Sequence, residues 1–240
     1  MLYLLCTFLA PSAFATGQGG TPIIYQRENG DRNIALTFDD GPHPTYTAEI
    51  LDILAEYGIH ATFFVIGENA EQYPDLLQRE MNEGHEIGNH TQTHPLRNLS
   101  REQMEQEISA CETTIGELLD RRTHLFRPPG GIISQTVMTL AEDHSYRVIL
   151  WSIDTRDWAH SSVRDITKNV LDHISDGDII LMHDIKDKTP GLVKTLVPWL
   201  QENGYMILTI DELFAKDGVT LQNDVVYYRC EDGVTTRKQR

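Results

Sequence analysis

The chain has 240 residues, the size of one large α/β domain and too short for two comfortable ones. With 40% hydrophobic and 23% charged residues it has ample apolar material for one core. A formal net charge of −16 argues against nucleic acid or an anionic membrane as partner, because phosphate binding requires a basic face.

Residues 1–15, MLYLLCTFLAPSAFA, carry no charge and end in the small-x-small run Ala13-Phe14-Ala15. They read as a cleaved export signal, with the mature chain starting near Thr16 and a secreted or periplasmic product. The basic n-region of such a signal is missing, and a retained N-terminal anchor is the alternative. Residues 16–32 read as an extension.

Short apolar runs then alternate with longer amphipathic ones. Strands are predicted at Ile34–Phe38, Thr62–Ile66, Glu86–Asn89, Leu125–Arg127, Val148–Ser152, Ile179–Met182 and Met206–Leu208. Helices are predicted at Thr47–Tyr57, Ala70–Glu83, Arg101–Leu119, Ser134–Asp143, Val163–Ile174 and Leu192–Asn203, with Ser100 and Gln103 forming a capping box. Strand–helix alternation implies a parallel sheet in one domain over residues 33–214, either closed into a barrel or doubly wound. Residues 215–240 read as a C-terminal tail containing one strand-like stretch, Val225–Tyr228. Cys6 would leave with the signal. For Cys111 and Cys230 two readings stay open: a disulfide tying the tail to a helix, or a plain core position for Cys111.

The chemistry-bearing residues cluster at strand ends, where parallel α/β folds carry their active sites. The first strand runs into Asp39-Asp40-Gly41-Pro42, two adjacent carboxylates that are costly to bury without a cation or a shared proton. The third ends in His90-Thr91-Gln92-Thr93-His94-Pro95, whose two imidazoles can meet one metal ion from a single turn. With a neighbouring carboxylate this makes a His-His-Asp set, which suits catalytic zinc and also non-haem iron. Arg127 precedes a rigid Pro128-Pro129-Gly130-Gly131 turn and can hold a carboxylate bidentately. Asp154-Thr155-Arg156-Asp157-Trp158 offers two acids and an aromatic wall, and Leu181-Met182-His183-Asp184 ends an apolar strand in a possible proton donor. His43, His60, His85, His124, His144, His160 and His173 are assigned no role.

These five motifs, in this order from about Asn33 to Phe214, resemble those of the carbohydrate esterase family 4, or NodB-homology, polysaccharide deacetylases. The resemblance implies a distorted (β/α) barrel with seven or eight parallel strands. It also implies that Asp40, His90 and His94 bind Zn2+, with Co2+ or Ni2+ able to substitute. Asp39 would be the general base, oriented by Arg127, and His183 the general acid, oriented by Asp157. Pro129, Gly130, Trp158 and Leu181 would contact the sugar. The family often has an aromatic where this chain has Gly130, so the shape of that subsite differs.

The implied partner is an N-acetylated glycan, peptidoglycan or chitin oligomers, deacetylated by a monomer that leaves no membrane contact once its signal is cleaved. An acetylxylan esterase of the same fold is the alternative. A non-haem iron oxygenase fits the βα pattern poorly, and a non-catalytic sugar-binding module has no use for a base, an acid and both orienting partners.

Overall fold

The computed structural model describes residues 32–96, 99–159 and 161–230. Residues 1–15, with the export-signal reading, lie outside the described residues, as does His160.

Among the described residues, nine strands form one sheet whose ladders are all parallel: β1 (Asn33–Asp39), β2 (Thr62–Val65), β3 (Glu86–Asn89), β4 (Leu125–Phe126), β5 (Arg147–Ile149), β6 (Ile153–Asp154), β7 (Ile179–His183), β8 (Met206–Leu208) and β9 (Val226–Tyr227). Their order is β6-β7-β1-β2-β3-β4-β5-β9. β8 pairs with β1 at Asn33–Ala35, whereas β2 pairs with it at Thr37–Asp39. β7 also pairs with Ala35, so β8 and β2 share one edge of β1, and this shared edge distorts the barrel. Past β9 the chain turns back on the start of β7 through an antiparallel Asp178–Arg229 bridge and a Cys230 N–H bond to the Gly177 carbonyl (2.8 Å).

Eight α-helices of the described residues surround the sheet: α1 (Tyr46–Tyr57), α2 (Gly67–Gln72), α3 (Pro74–Asn82), α4 (Arg101–Leu119), α5 (Gln135–Asp143), α6 (Val163–His173), α7 (Thr189–Glu202) and α8 (Ile210–Lys216). The expected capping box opens α4, with Gln103 N–H donating to the Ser100 hydroxyl. The single helix expected over Ala70–Glu83 is two. Pro74 has no N–H to continue α2 and disfavours a helical Tyr73, which sits at φ −129°, ψ 58°. The expected strand Val148–Ser152 also divides, its residues pairing with β9 on one side and leading into β6 beside β7 on the other. The segment after Phe214, read above as a tail, supplies β9 and buries Leu221, Val225, Tyr227 and Cys230 in the domain.

The two-residue period of the strands sorts the core. Ile34, Leu36 and Phe38 of β1 pack outward under the helices together with Phe63 and Val65 of β2 and Ile180 and Met182 of β7. The alternate residues Ala35, Phe64 and Ile179 face inward to a separate cluster. The same alternation points Thr37 and Asp39 into the barrel. Cys111 belongs to the outer cluster and Cys230 to the inner one, on opposite sides of the sheet, and they are not bridged. The disulfide reading is therefore excluded, and burial pushes the Cys111 thiol up to about 12.

Candidate active site

Parallel register brings the five motifs to one end of the barrel. Asp39 lies beside His183 across the β1–β7 ladder and beside Phe64 across the β1–β2 ladder. Beyond the strand ends the backbone turns sharply: Asp40 and His94 adopt φ of 78° and 54°. Such a conformation costs a residue with a Cβ about 1–3 kcal/mol and persists only where the surroundings over-determine it. Here the Asn69 amide donates to the Asp40 carbonyl (2.7 Å), and the His94 N–H bonds the Thr91 hydroxyl (3.2 Å).

The result is a three-donor cluster. Asp40 Oδ1 lies 3.5 Å from His90 Nε2 and 3.4 Å from His94 Nε2. His90 Nδ1 donates to the Arg127 carbonyl (2.6 Å), which leaves the Nε2 lone pair aimed at the cluster. Asp40 Oδ1 is buried and has no hydrogen-bond partner. Burial pushes Asp40 up, but His90, His94 and His183 outweigh it and hold the carboxyl at about 2. A buried carboxylate oxygen without a hydrogen-bond partner, set beside the Nε2 atoms of two histidines, fits a bound cation of the N/O-binding kind. Asp40, His90 and His94 are thus brought together as the sequence predicts.

Asp39 is turned toward Arg127. Its Oδ1 accepts from Arg127 Nη1 (2.6 Å), and its Oδ2 stays 3.6 Å from His90 Nε2. Arg127 is wholly buried and has four of its five N–H donors engaged: Nη1 also on Thr37 Oγ1 (2.8 Å), Nη2 on the Leu150 carbonyl (2.9 Å) and Nε on the Ile149 carbonyl (3.1 Å). Its guanidinium carbon sits 4.0 Å over the Phe64 ring. A lysine could not make this fork.

Across the cluster, Asp157 receives His183 Nδ1 (2.7 Å), the His183 N–H (2.7 Å) and the Thr189 hydroxyl (2.7 Å). Burial opposes charge on His183, but Asp157, reinforced by Asp39 and Asp40, pushes its pKa up to about 9. One face of the site therefore carries an oriented carboxylate and the other a protonated imidazole with Nε2 directed outward, which is the pairing needed for proton removal and proton delivery.

A cavity of about 400 Å³ opens over these groups, walled by Trp151, Trp158, Leu181, Gly130 and Leu96. Trp158 is half exposed, with Arg156 stacked on it at 5.2 Å. Gly130 has φ 60°, and a Cβ there would meet Leu96 at 3.2 Å, so the missing aromatic is matched by a leucine leaning into its place. Pro129, predicted as a sugar contact, is buried and does not line the cavity, because the tight 129–131 turn presents Gly130 instead.

Several supports were not read from the sequence. Thr37 shares the inward face of β1 with Asp39 by its two-residue spacing, but its bond to Arg127 is visible only in the structure. Asn69, Thr189 and Thr47 are distant in the chain and carried no signal. Asp184 is buried one residue past His183. It takes the Thr47 hydroxyl (2.5 Å) and packs on Gly41, so close that a Cβ at Gly41 would fall 2.0 Å from its Oδ2. Burial raises Asp184 to about 7 and holds Glu80 well above the usual carboxylate range. Gly41→Ala should therefore lose about 1–3 kcal/mol in denaturant melts and weaken metal binding. Unchanged stability would mean that Asp184 can swing aside.

This chain is similar to known proteins. The polysaccharide deacetylase family model matches residues 26–149. A peptidoglycan-N-acetylglucosamine deacetylase of Bacillus cereus is 39% identical over 80% of this chain and 92% of its own length. A chitooligosaccharide deacetylase of Sinorhizobium fredii is 35% identical over 76% of this chain and 92% of its own length. The structure of a family 4 acetyl xylan esterase from Clostridium thermocellum, in complex with a cobalt ion, superposes with a TM-score of 0.76 at 30% identity, covering 82% of this chain and 98% of that one. Motif order, strand-end geometry and these likenesses agree, and the chain belongs to the polysaccharide deacetylase family, the NodB-homology hydrolases of carbohydrate esterase family 4.

Proposed function

We propose that the protein is a metal-dependent hydrolase that removes N-acetyl groups from N-acetylglucosamine-containing glycans, peptidoglycan or chitin oligomers, and releases acetate. The observation that carries this reading is the buried, unpartnered Asp40 oxygen facing His90 and His94, flanked by a carboxylate and a protonated imidazole that are each held by a dedicated partner. Zinc is the ion proposed, held by Asp40, His90 and His94. When bound it supplies a Lewis acid for the acetyl carbonyl and lowers the pKa of an adjacent water.

The chain's own residues do the rest. Asp39, fixed through Oδ1 by Arg127, takes the proton of the attacking water at Oδ2. His183, anchored through Nδ1 by Asp157, gives a proton from Nε2 to the sugar nitrogen as the C–N bond breaks. Trp158 and Leu181 offer apolar faces to the sugar ring, and the cavity over the cluster gives the acetyl group room beside the three donors. We place the activity in the cell envelope or outside the cell, on the strength of the uncharged 1–15 segment.

The test is acetate release from chitin oligomers and from peptidoglycan by the zinc-loaded protein, with a chelated sample alongside. Release that disappears on chelation supports the proposal. No release from either, with zinc retained, overturns it. The likeness to the Clostridium thermocellum esterase supports one second reading, O-deacetylation of acetylxylan, for which acetylxylan is the third substrate in the same assay.

A further inference from the structure

The strands that present the active site carry a second set of metal-type donors at their other ends. β3 begins with Glu86, four residues before His90, and His124 stands directly before β4, three residues before Arg127. The start of α8 brings Asp211 to the same place. One donor atom from each of Glu86, His124 and Asp211 lies within 4.8 Å of the others, the closeness also found for Asp40, His90 and His94.

Each donor is held before any ion arrives. Glu86 Oε2 accepts from the Thr62 hydroxyl (2.8 Å), the Ile210 N–H (2.9 Å) and the Asp211 N–H (3.3 Å). His124 Nε2 lies 3.0 and 2.8 Å from the two Asp211 oxygens. Two carboxylates forced together, one of them half-buried, must share a proton or a cation. Burial, reinforced by Asp211, accordingly pushes Glu86 up to about 7. A cavity of about 410 Å³ opens over the three residues and gives access from solvent.

We propose that Glu86, His124 and Asp211 form a second divalent-cation site, suited to zinc, which ties the start of α8 to the amino ends of β3 and β4. One imidazole nitrogen and two carboxylate oxygens are a donor set zinc accepts, with water completing the tetrahedron. Binding replaces the proton His124 shares with Asp211, and the ion takes up the repulsion between the two carboxylates. The site lies at the opposite end of the barrel from the catalytic cluster, so its role is to hold the barrel floor.

The experiment is equilibrium dialysis of the metal-stripped full-length protein against zinc, reading zinc bound per chain. The wild type should bind two. Asp40→Ala/His90→Ala should retain one, and His124→Ala should also retain one while keeping its deacetylation rate at saturating zinc. In His124→Ala the zinc-dependent rise in melting temperature should shrink, because only the catalytic ion remains to stabilise the fold. One zinc in the wild type, or two in His124→Ala, would overturn the proposal. The His124 site is solvent-accessible, so His124→Ala keeps the test decisive even if Asp40→Ala/His90→Ala fails to fold. Loss of zinc from the catalytic cluster is read separately, in the Asp40→Ala/His90→Ala protein.

Discussion

Asp39→Asn should lower kcat by about 10²–10⁴-fold, the contribution of a positioned general base, with zinc content unchanged. The geometry separates the two adjacent aspartates. Asp40 Oδ1 is the buried atom facing both imidazoles, whereas Asp39 is turned toward Arg127 by a 2.6 Å bond and reaches only His90, at 3.6 Å. The amide removes the base but leaves Asp40, His90 and His94 in place. Asp40→Asn should do the reverse, with zinc lost first and activity following it. Measuring kcat and bound zinc on the same preparations decides the matter: zinc lost from Asp39→Asn and kept by Asp40→Asn would interchange the two roles.

The second large effect belongs to the proton donor. His183→Ala should reduce kcat/KM by about 10²–10⁴-fold, and Asp157→Asn should change the pH profile rather than only its height. Burial favours the neutral imidazole, while Asp157 favours the cation and raises the pKa to about 9. The donor must be protonated, so activity is present below that pKa and is lost as pH rises through it. Removing the Asp157 charge lets burial dominate, and the alkaline limb should move to about 1–3 pH units lower. A simple loss of rate at all pH values, with the limb unmoved, would mean that Asp157 only shapes the strand end. That alternative is real, because Asp157 also ties down the His183 N–H and the Thr189 hydroxyl.

Much of the site was legible because the chemistry is written in adjacent residues. Asp39-Asp40 and the His90…His94 pair each lie within one turn of chain, and buried strands end where their apolar runs end. The proposed base-and-ligand distinction between Asp39 and Asp40 came from resemblance, and the geometry that supports it exists only in three dimensions, in the bonds Arg127 makes to Asp39 and Thr37. Asp184 on Gly41, Asn69 on the Asp40 carbonyl and Thr189 on Asp157 were not legible at all. Each joins segments tens of residues apart, and a lone Thr or Asn carries no periodic or spacing signal. Pro129 does not line the cavity for a local reason, since a left-handed Gly130 reverses the turn and leaves the proline beneath it.

What the sequence by itself determined is the alternation of strand and helix, the placing of polar groups at strand ends, and the inward face shared by Thr37 and Asp39, all consequences of two-residue and 3.6-residue periods acting locally. What only the tertiary structure decided is pairing. It set which strands neighbour β1, so that Asp39 meets His183; which side of the sheet Cys111 and Cys230 occupy, so that no bridge forms; and that Glu86, His124 and Asp211 converge at the barrel floor. Those outcomes depend on register and burial between segments distant in the chain, and no local pattern encodes them.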